Sequence, residues 1–213
     1  MLYLKSFTFN PFQQNTFLVY DDEGSAYLID AGNSTDSENE QLKNFLEEKK
    51  LTLKRFLLTH AHIDHILGAR YIFDTFGLLP EMHENEIFFI DRMMQSAGMY
   101  GVNCEQAPMA EKFIKEGDKI MLGKYEFDCI FTPGHSPGSI SFYNKENKLL
   151  LSGDVLFKGS IGRSDLPMGD HETLIRSIKE KLFPLGDDVK VYSGHGPATT
   201  IGFEKTSNPF LIS

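Results

Sequence analysis

Ten residues, "THAHIDHILG" (Thr59–Gly68), limit what this chain can fold into more than any other stretch. Three of its seven histidines, His60, His62 and His65, lie within six positions, with Asp64 among them. On a continuous helix, residues two apart point away from each other. On a continuous strand His60, His62 and Asp64 share a face, and His65 lies on the other. No single regular element gathers all four. A strand ending near Thr59, a tight loop and a helix starting near Asp64 can do so. The flanks agree: "LKRFLLT" reads as a buried strand, and helical spacing of apolar residues runs from Asp64 to Phe76.

Neutral imidazole and carboxylate are zinc-type ligands, usually four in a closed site and three plus water in a catalytic one. Four ligands split into two pairs are too few for one closed site and suggest two open ones, each needing partners from elsewhere. Three further segments supply them. "TPGHSPG" places His135 in a Pro/Gly turn, "LLLSGDVLF" places Asp154 just after a strand, and "VYSGHGP" places His195 in another turn. All three sit at strand ends beside glycines, where backbones can crowd close to an ion. Asp154 has two oxygens and could bridge two ions. A single histidine after a strand is more often a surface or core residue than a ligand. Side-chain packing, however, gives no reason to crowd three imidazoles and a carboxylate together. His83 and His171 lack any such context and are left out.

The remaining pattern is that of a layered α/β protein. "LYLKSFTF", "NTFLVY" and "SAYLID" read as strands, the last two joined by the hairpin turn "DDEG". "STDSENEQLKNFLEEKK" reads as a helix, with caps offered by Ser34, Thr35 and Asp36 and a stripe of Leu42, Phe45 and Leu46. A further helix is expected from near Glu84 through "NEIFFIDRMMQSAG", followed by an irregular insertion, "MYGVNCEQAPMAEKF". Met93, Met94, Met99 and Met109 are expected to fill core space rather than line a pocket. In the second half "KYEFDCIFT", "SISFYN" and "KLLLSGD" are strands. "DHETLIRSIKEKLF" is a capped helix with Leu174, Ile175, Ile178 and Leu182 on one face, and "DVKVYSGHG" is a last strand. Strands precede helices in both halves, which predicts two sheets packed face to face with helices outside.

Composition removes other classes. The 213 residues, 41% of them hydrophobic, suit one large domain over 1–213. A net charge of −9 without a lysine/arginine cluster makes nucleic acid a poor partner. No apolar run approaches the roughly 20 residues of a membrane span. The N-terminus lacks a signal-peptide pattern. Cys104 and Cys129 are not in a paired metal-binding spacing and read as free thiols in a reducing cytoplasm. Nothing points to a protein partner.

"HAHIDH" resembles the H-x-H-x-D-H signature of the metallo-β-lactamase fold superfamily. "GHSPG", "SGD" and "SGHGP" resemble its other ligand-bearing segments in the expected order, so the likeness covers essentially the whole chain. Within the superfamily, "LFKGSIGRSDLPMGD" and the tail "SGHGPATTIGFEKTSNPF" are most similar to short glyoxalase-II-like hydrolases. The resemblance implies the four-layer αβ/βα sandwich. It implies one metal held by His60, His62 and His135, a second by Asp64, His65 and His195, and Asp154 between them. Arg163, in "GSIGRSD", matches a basic substrate-contacting position. Two departures stand out. Glyoxalase II proper carries a C-terminal glutathione-binding helical domain that is not expected here, and a tyrosine after its last histidine ligand where this chain has Gly196 and Pro197.

The implied chemistry is hydrolysis by a metal-bridging hydroxide. Paired cations lower the pKa of a shared water to about 7 and polarise a carbonyl. Asp64 is implied to orient the hydroxide. A thioester of the S-lactoylglutathione type suits such a site, because its thiol leaves with a pKa near ~8.5 and needs little help. The expected cofactors are two divalent ions, zinc by default, with iron or manganese accepting the same ligands. The rivals are a mono-iron persulfide dioxygenase and a lactonase, both with the same ligands. Flavodiiron proteins usually have glutamate in place of His62, β-lactamases replace the Asp154 position, and nucleases of the fold fit poorly with the acidic charge. A non-catalytic binding protein fits least, since no ligand is lost.

Overall fold

The computed structural model describes residues 1–212. They fall into two compact units, one of Met1–Phe113 with Leu122–Lys124, the other of Ile114–Met121 and Tyr125 onward.

The first unit opens with two antiparallel pairings: β1 (Leu2–Phe9) with β2 (Gln14–Asp21), and β2 with β3 (Ser25–Ile29). The "DDEG" turn is held by Asp21, whose Oδ1 accepts from the amides of Glu23 and Ser25 at 3.0 and 2.9 Å. From there every return is a helical crossover to a parallel strand. α1 (Asp36–Glu48) leads to β4 (Thr52–Leu57), and α2 (Ile63–Ile66) with α3 (Ala69–Phe76) leads to β5 (Pro80–Met82). α4 (Ile87–Asp91) with α5 (Met93–Tyr100) leads to β6 (Lys112–Phe113). The sheet order is therefore the chain order, β1 to β6.

α1 begins as its sequence dictates. Thr35 is the N-cap, and its side chain and that of Glu38 cap each other's backbone in a capping box. Leu42 and Leu46 are buried, together with Leu18, Leu28, Phe56, Leu58, Ile66 and Ile72. Each such side chain contributes roughly 1.5–3 kcal/mol on burial.

Two expected helices are broken. The Asp64–Phe76 helix is two short pieces, interrupted at Leu67 and Gly68. The cause is a close approach: a Cβ on Gly68 would sit 2.1 Å from Asn33 Oδ1, and the Gly68 amide donates to the Ala31 carbonyl at 2.8 Å. The helix expected from Glu84 is a 3-10 turn (Glu84–Glu86), then α4, then α5, with the break at Arg92. The methionine expectation is corrected too. Met93 is buried, whereas Met94, Met99 and Met109 are exposed, because only Met93 turns inward beside Ile90 and Ala97.

The second unit is built on the sheet order β14-β13-β10-β9-β8-β7. Its strands are β7 (Lys119–Leu122), β8 (Tyr125–Phe131), β9 (Ile140–Asn144) and β10 (Leu149–Gly153). A separate two-stranded hairpin follows, β11 (Leu156–Phe157) with β12 (Ser160–Ile161). After α6 (His171–Arg176) come β13 (Lys190–Ser193), β14 (Thr199–Thr200) and α7 (Ile201–Ser207). β8, β9 and β10 run antiparallel, and β10 pairs parallel with β13. The helix expected over "DHETLIRSIKEKLF" starts where Asp170 caps it. It then widens into a π-helical stretch at Ser177–Leu182 and tightens to 3-10 at Pro184, which removes a backbone donor. Leu174, Ile178 and Leu182 still form one buried face, packed with Leu150, Val189, Val191 and Ile201.

Candidate metal centre

Parallel strands collect functional groups at their carboxyl ends, and both units follow that rule. In the first unit Asp30 follows β3, Thr59 to His65 follow β4, and Glu86 follows β5. In the second, Asp154 follows β10 and His195 follows β13, which pair parallel, while His135 lies in the turn after β8.

In the first unit the loop between β4 and α2 brings His60, His62, Asp64 and His65 together. The rings of His60 and His62 lie 4.7 Å apart, and those of His60 and His65 4.0 Å apart. His65 Nε2 is 3.5 Å from Asp64 Oδ2. The sequence reading missed the residue that orders this loop, Asp30. Its backbone is left-handed (φ 59°), a conformation that aspartate tolerates better than most residues. Its Oδ1 accepts from the Thr59 amide at 2.8 Å, and its Oδ2 accepts from the Thr59 hydroxyl at 2.7 Å and His65 Nδ1 at 2.9 Å. The Thr59 hydroxyl proton is committed to Asp30, so the 3.1 Å contact between Thr59 Oγ1 and His60 Nδ1 has the imidazole as donor. One buried carboxylate thus holds the proton of two histidines on Nδ1 and leaves Nε2 as the ligand atom. Such support from behind is the usual companion of metal-binding imidazoles. The signal in the sequence was an acidic residue closing the buried run "AYLID".

Asn10 adds a second brace: its Nδ2 donates to the carbonyls of Asp64 and Gly32, each at 2.9 Å.

In the second unit His135, Asp154 and His195 come together. One oxygen, Asp154 Oδ2, lies 3.6 Å from His135 Nε2 and 3.5 Å from His195 Nε2. His135 Nδ1 donates to the Arg163 main-chain carbonyl at 2.7 Å, again leaving Nε2 as the ligand atom. Gly162, next to that carbonyl, cannot carry a side chain: a Cβ there would sit 1.9 Å from the Asp154 carbonyl and 3.2 Å from His135 Cβ.

The spacing fits a metal. Two ligands bound at 2.0–2.1 Å to one tetrahedral ion lie roughly 3.4 Å apart. The three oxygen–nitrogen separations of 3.5–3.6 Å match this and exceed an N–H···O hydrogen bond.

Arg163 also has a side chain to account for. Its Nε and Nη2 donate to the two oxygens of Asp165, each at 2.9 Å, in an exposed fork. The Asp165 carboxyl is held below its ordinary range, chiefly by that hydrogen bond. His83 and His171 lie outside both ligand groups. His83 accepts from the Asn85 amide, and His171 contacts the Ser164 hydroxyl.

Residues 9–195 match the family model of the metallo-beta-lactamase superfamily. The hydroxyacylglutathione hydrolase GloC of Haemophilus influenzae is 44% identical over 204 residues, covering 95% of this chain and 94% of GloC. Two crystal structures are similar throughout. BLEG-1, a B3 metallo-beta-lactamase, is 38% identical with a TM-score of 0.90 over 99% of this chain and 100% of its own. TTHA1623, in a di-iron-bound form, is 35% identical with a TM-score of 0.88 over 97% and 100%. The chain belongs to the metallo-beta-lactamase superfamily. It has that superfamily's mixed α/β fold, as expected from the sequence, and is a metallo-hydrolase of the glyoxalase-II-like kind whose candidate metal ligands are histidine and aspartate. No helix among the described residues is long and apolar enough to cross a membrane.

Proposed function

We propose that this chain hydrolyses thioesters of the hydroxyacylglutathione type with the help of two divalent metal ions. In this reading His60, His62 and His135 would hold one ion, Asp64, His65 and His195 would hold the other, and Asp154 would serve both. The observation that carries it is the spacing within each unit, where carboxylate oxygens face histidine Nε2 atoms at co-ligand distance. The likeness to GloC supports the substrate class. Zinc suits the donor set, iron and manganese accept it, and the di-iron form of TTHA1623 supports iron as a second option.

Bound ions supply an activated water and a Lewis acid for the thioester carbonyl. The rest falls to the chain. Asp30, directly and through Thr59, keeps His65 and His60 in the tautomer that presents Nε2, and the Arg163 carbonyl does the same for His135. The Asp64 carboxylate has a second oxygen with which to orient the attacking water. The leaving thiol, with a pKa near ~8.5, departs as thiolate without a dedicated acid. The Arg163 guanidinium is paired with Asp165 through Nε and Nη2, and its remaining donors could meet a substrate carboxylate beside that exposed ion pair.

A second reading, lactam hydrolysis, draws on the likeness to BLEG-1. One experiment separates the readings: elemental analysis of metal-replete protein, with turnover measured on S-lactoylglutathione, simple thioesters, a lactone, a β-lactam and glutathione persulfide. About two ions per chain and preferential thioester hydrolysis are expected. One iron per chain with oxygen-dependent sulfite formation would overturn the proposal in favour of a dioxygenase. A loaded enzyme active only on the lactone or the β-lactam would overturn it in favour of those substrates.

A further inference from the structure

We infer that the turn carrying Glu86 and Phe89, between β5 and α5, is a clamp that positions the His60–His62 ligand pair. The inference deepens the two-ion reading above and rests on it.

Glu86 is fully buried. Its Oε2 accepts from the amide of Ala61, the residue between the two histidines, at 2.8 Å. Three positions later, on the same side of the turn, Phe89 meets the His62 ring edge to face, with centroids 4.7 Å apart at 86°. One side chain therefore fixes the main chain between the ligands, and the other fixes the plane of an imidazole. Phe89 is itself held at right angles to Phe88, over which the Arg92 guanidinium sits at 3.9 Å.

The clamp is anchored behind. Ile90 and Met93 are buried in the first unit's core. Gln106 Nε2 donates to the Ile90 carbonyl at 2.8 Å, and the Ala107 amide approaches Met93 Sδ at 3.2 Å.

Burying a carboxylate is costly unless hydrogen bonds and opposite charge repay it. The Ala61 amide is one such hydrogen bond. A cation on the adjacent imidazoles is a charge of the right sign. Oxygen contacts hold Nδ1 of His60, His65 and His135, and Phe89 adds an aromatic contact on the His62 ring. The ring packing sets its plane.

The test uses full-length protein stripped of metal and titrated with cobalt(II), read by its ligand-field absorption. Wild type should take two equivalents. In Glu86→Ala and Phe89→Leu, affinity for one equivalent should fall about 10- to 100-fold, the usual effect of losing a ligand's support. Its absorption band should shift, and the other equivalent should bind as in wild type. Glu86→Gln keeps an acceptor for the Ala61 amide and should recover most of the loss. Phe89 is only half-buried, so Phe89→Leu tests the idea even if Glu86→Ala fails to fold. Two equivalents in wild type, with unchanged affinity and spectrum in the folded variants, would overturn the clamp and leave both residues as ordinary packing. Fewer than two equivalents in wild type would overturn the two-ion reading itself, and the clamp with it.

Discussion

The two units hold their ligand groups by different means. The first presents four candidate ligands from one loop, His60 to His65, and braces them with carboxylates: Asp30 behind His65 and His60, Glu86 on the Ala61 amide. The second presents three ligands from three separate strand ends and braces His135 with a main-chain carbonyl, next to a glycine that lets the chain pass close. Ligands on separate strand ends are aimed by the sheet before any side chain acts. Ligands crowded on one loop start out divergent, and charged hydrogen bonds, about twice as strong as neutral ones, are needed to turn them to a common point.

The largest effect tests the second unit at the oxygen two histidines share. Asp154→Asn keeps the shape but removes the charge. Elemental analysis should show at least one ion lost, thioester turnover should fall by roughly 10³-fold or more if the bridge supplies the water activation, and the circular dichroism should be preserved. Full metal content and activity would remove Asp154 from the bridge.

Next comes the carboxylate brace of the first unit. Asp30→Asn can no longer accept from both the Thr59 hydroxyl and His65 Nδ1 on a charged oxygen. Metal affinity should fall about 10- to 100-fold by chelator competition, and the loss should be absent from a main-chain brace, which no substitution at Arg163 deletes. Equal sensitivity in Arg163→Ala would erase the contrast between the units.

That same Arg163→Ala variant should change KM for glutathione thioesters by less than about tenfold, since it removes an exposed, screened ion pair, while leaving metal content intact. Steady-state kinetics on S-lactoylglutathione and on a thioester lacking carboxylates would separate substrate contact from loop packing: only the former predicts a difference between the two.

The smallest effect is a pH dependence confined to the first unit. Partial burial would raise the Glu38 carboxyl, but amides of Ser34 and Asn10 and the hydroxyls of Ser34 and Thr35 outweigh it and hold it below its ordinary value of 4.5. A carboxyl lowered on folding stabilises above its unfolded pKa, and the contribution is lost as pH falls through the folded one. Glu38→Gln should therefore be less stable than wild type near neutral pH by a few tenths of a kcal/mol to about 1 kcal/mol, since the group is largely solvent-screened, and the gap should close below about pH 4.5 in urea titrations. A gap that persists at pH 3 would mean the charge is irrelevant there. Because Asn10 links Glu38 to the Asp64 carbonyl, this cap also leans on the ligand loop.

Much of the architecture was legible because periodicity and turn chemistry are local. The strands "LYLKSFTF", "SISFYN" and "KLLLSGD" lie within a residue of β1, β9 and β10, and the conflict of periods in "HAHIDH" required the strand–loop–helix junction that is found. The helix breaks were not legible, since Gly68 is interrupted by Asn33, a residue distant in sequence. Asp30 and Glu86 were missed for the same reason: a carboxylate at a strand end looks solvated until a distant loop is laid over it. The pairing of Arg163 with Asp165, two residues apart, is local.

The C-terminal helix of the second unit has a consequence for isotope exchange. Glu204, fully buried on α7, accepts from the Gly159 amide in the β11–β12 hairpin at 2.9 Å, and Asn208 donates both to Glu204 and to the Ser160 carbonyl. A two-residue-per-strand hairpin on its own would exchange its amide protons almost at the rate of an open chain. Here the Gly159 amide is tied to a helix 45 residues further along the chain, so its exchange is expected to slow while α7 stays docked. The two segments that first set this chain apart within its superfamily, "FKGSIGRSD" and "TTIGFEKTSNPF", are therefore tied to each other by hydrogen bonds.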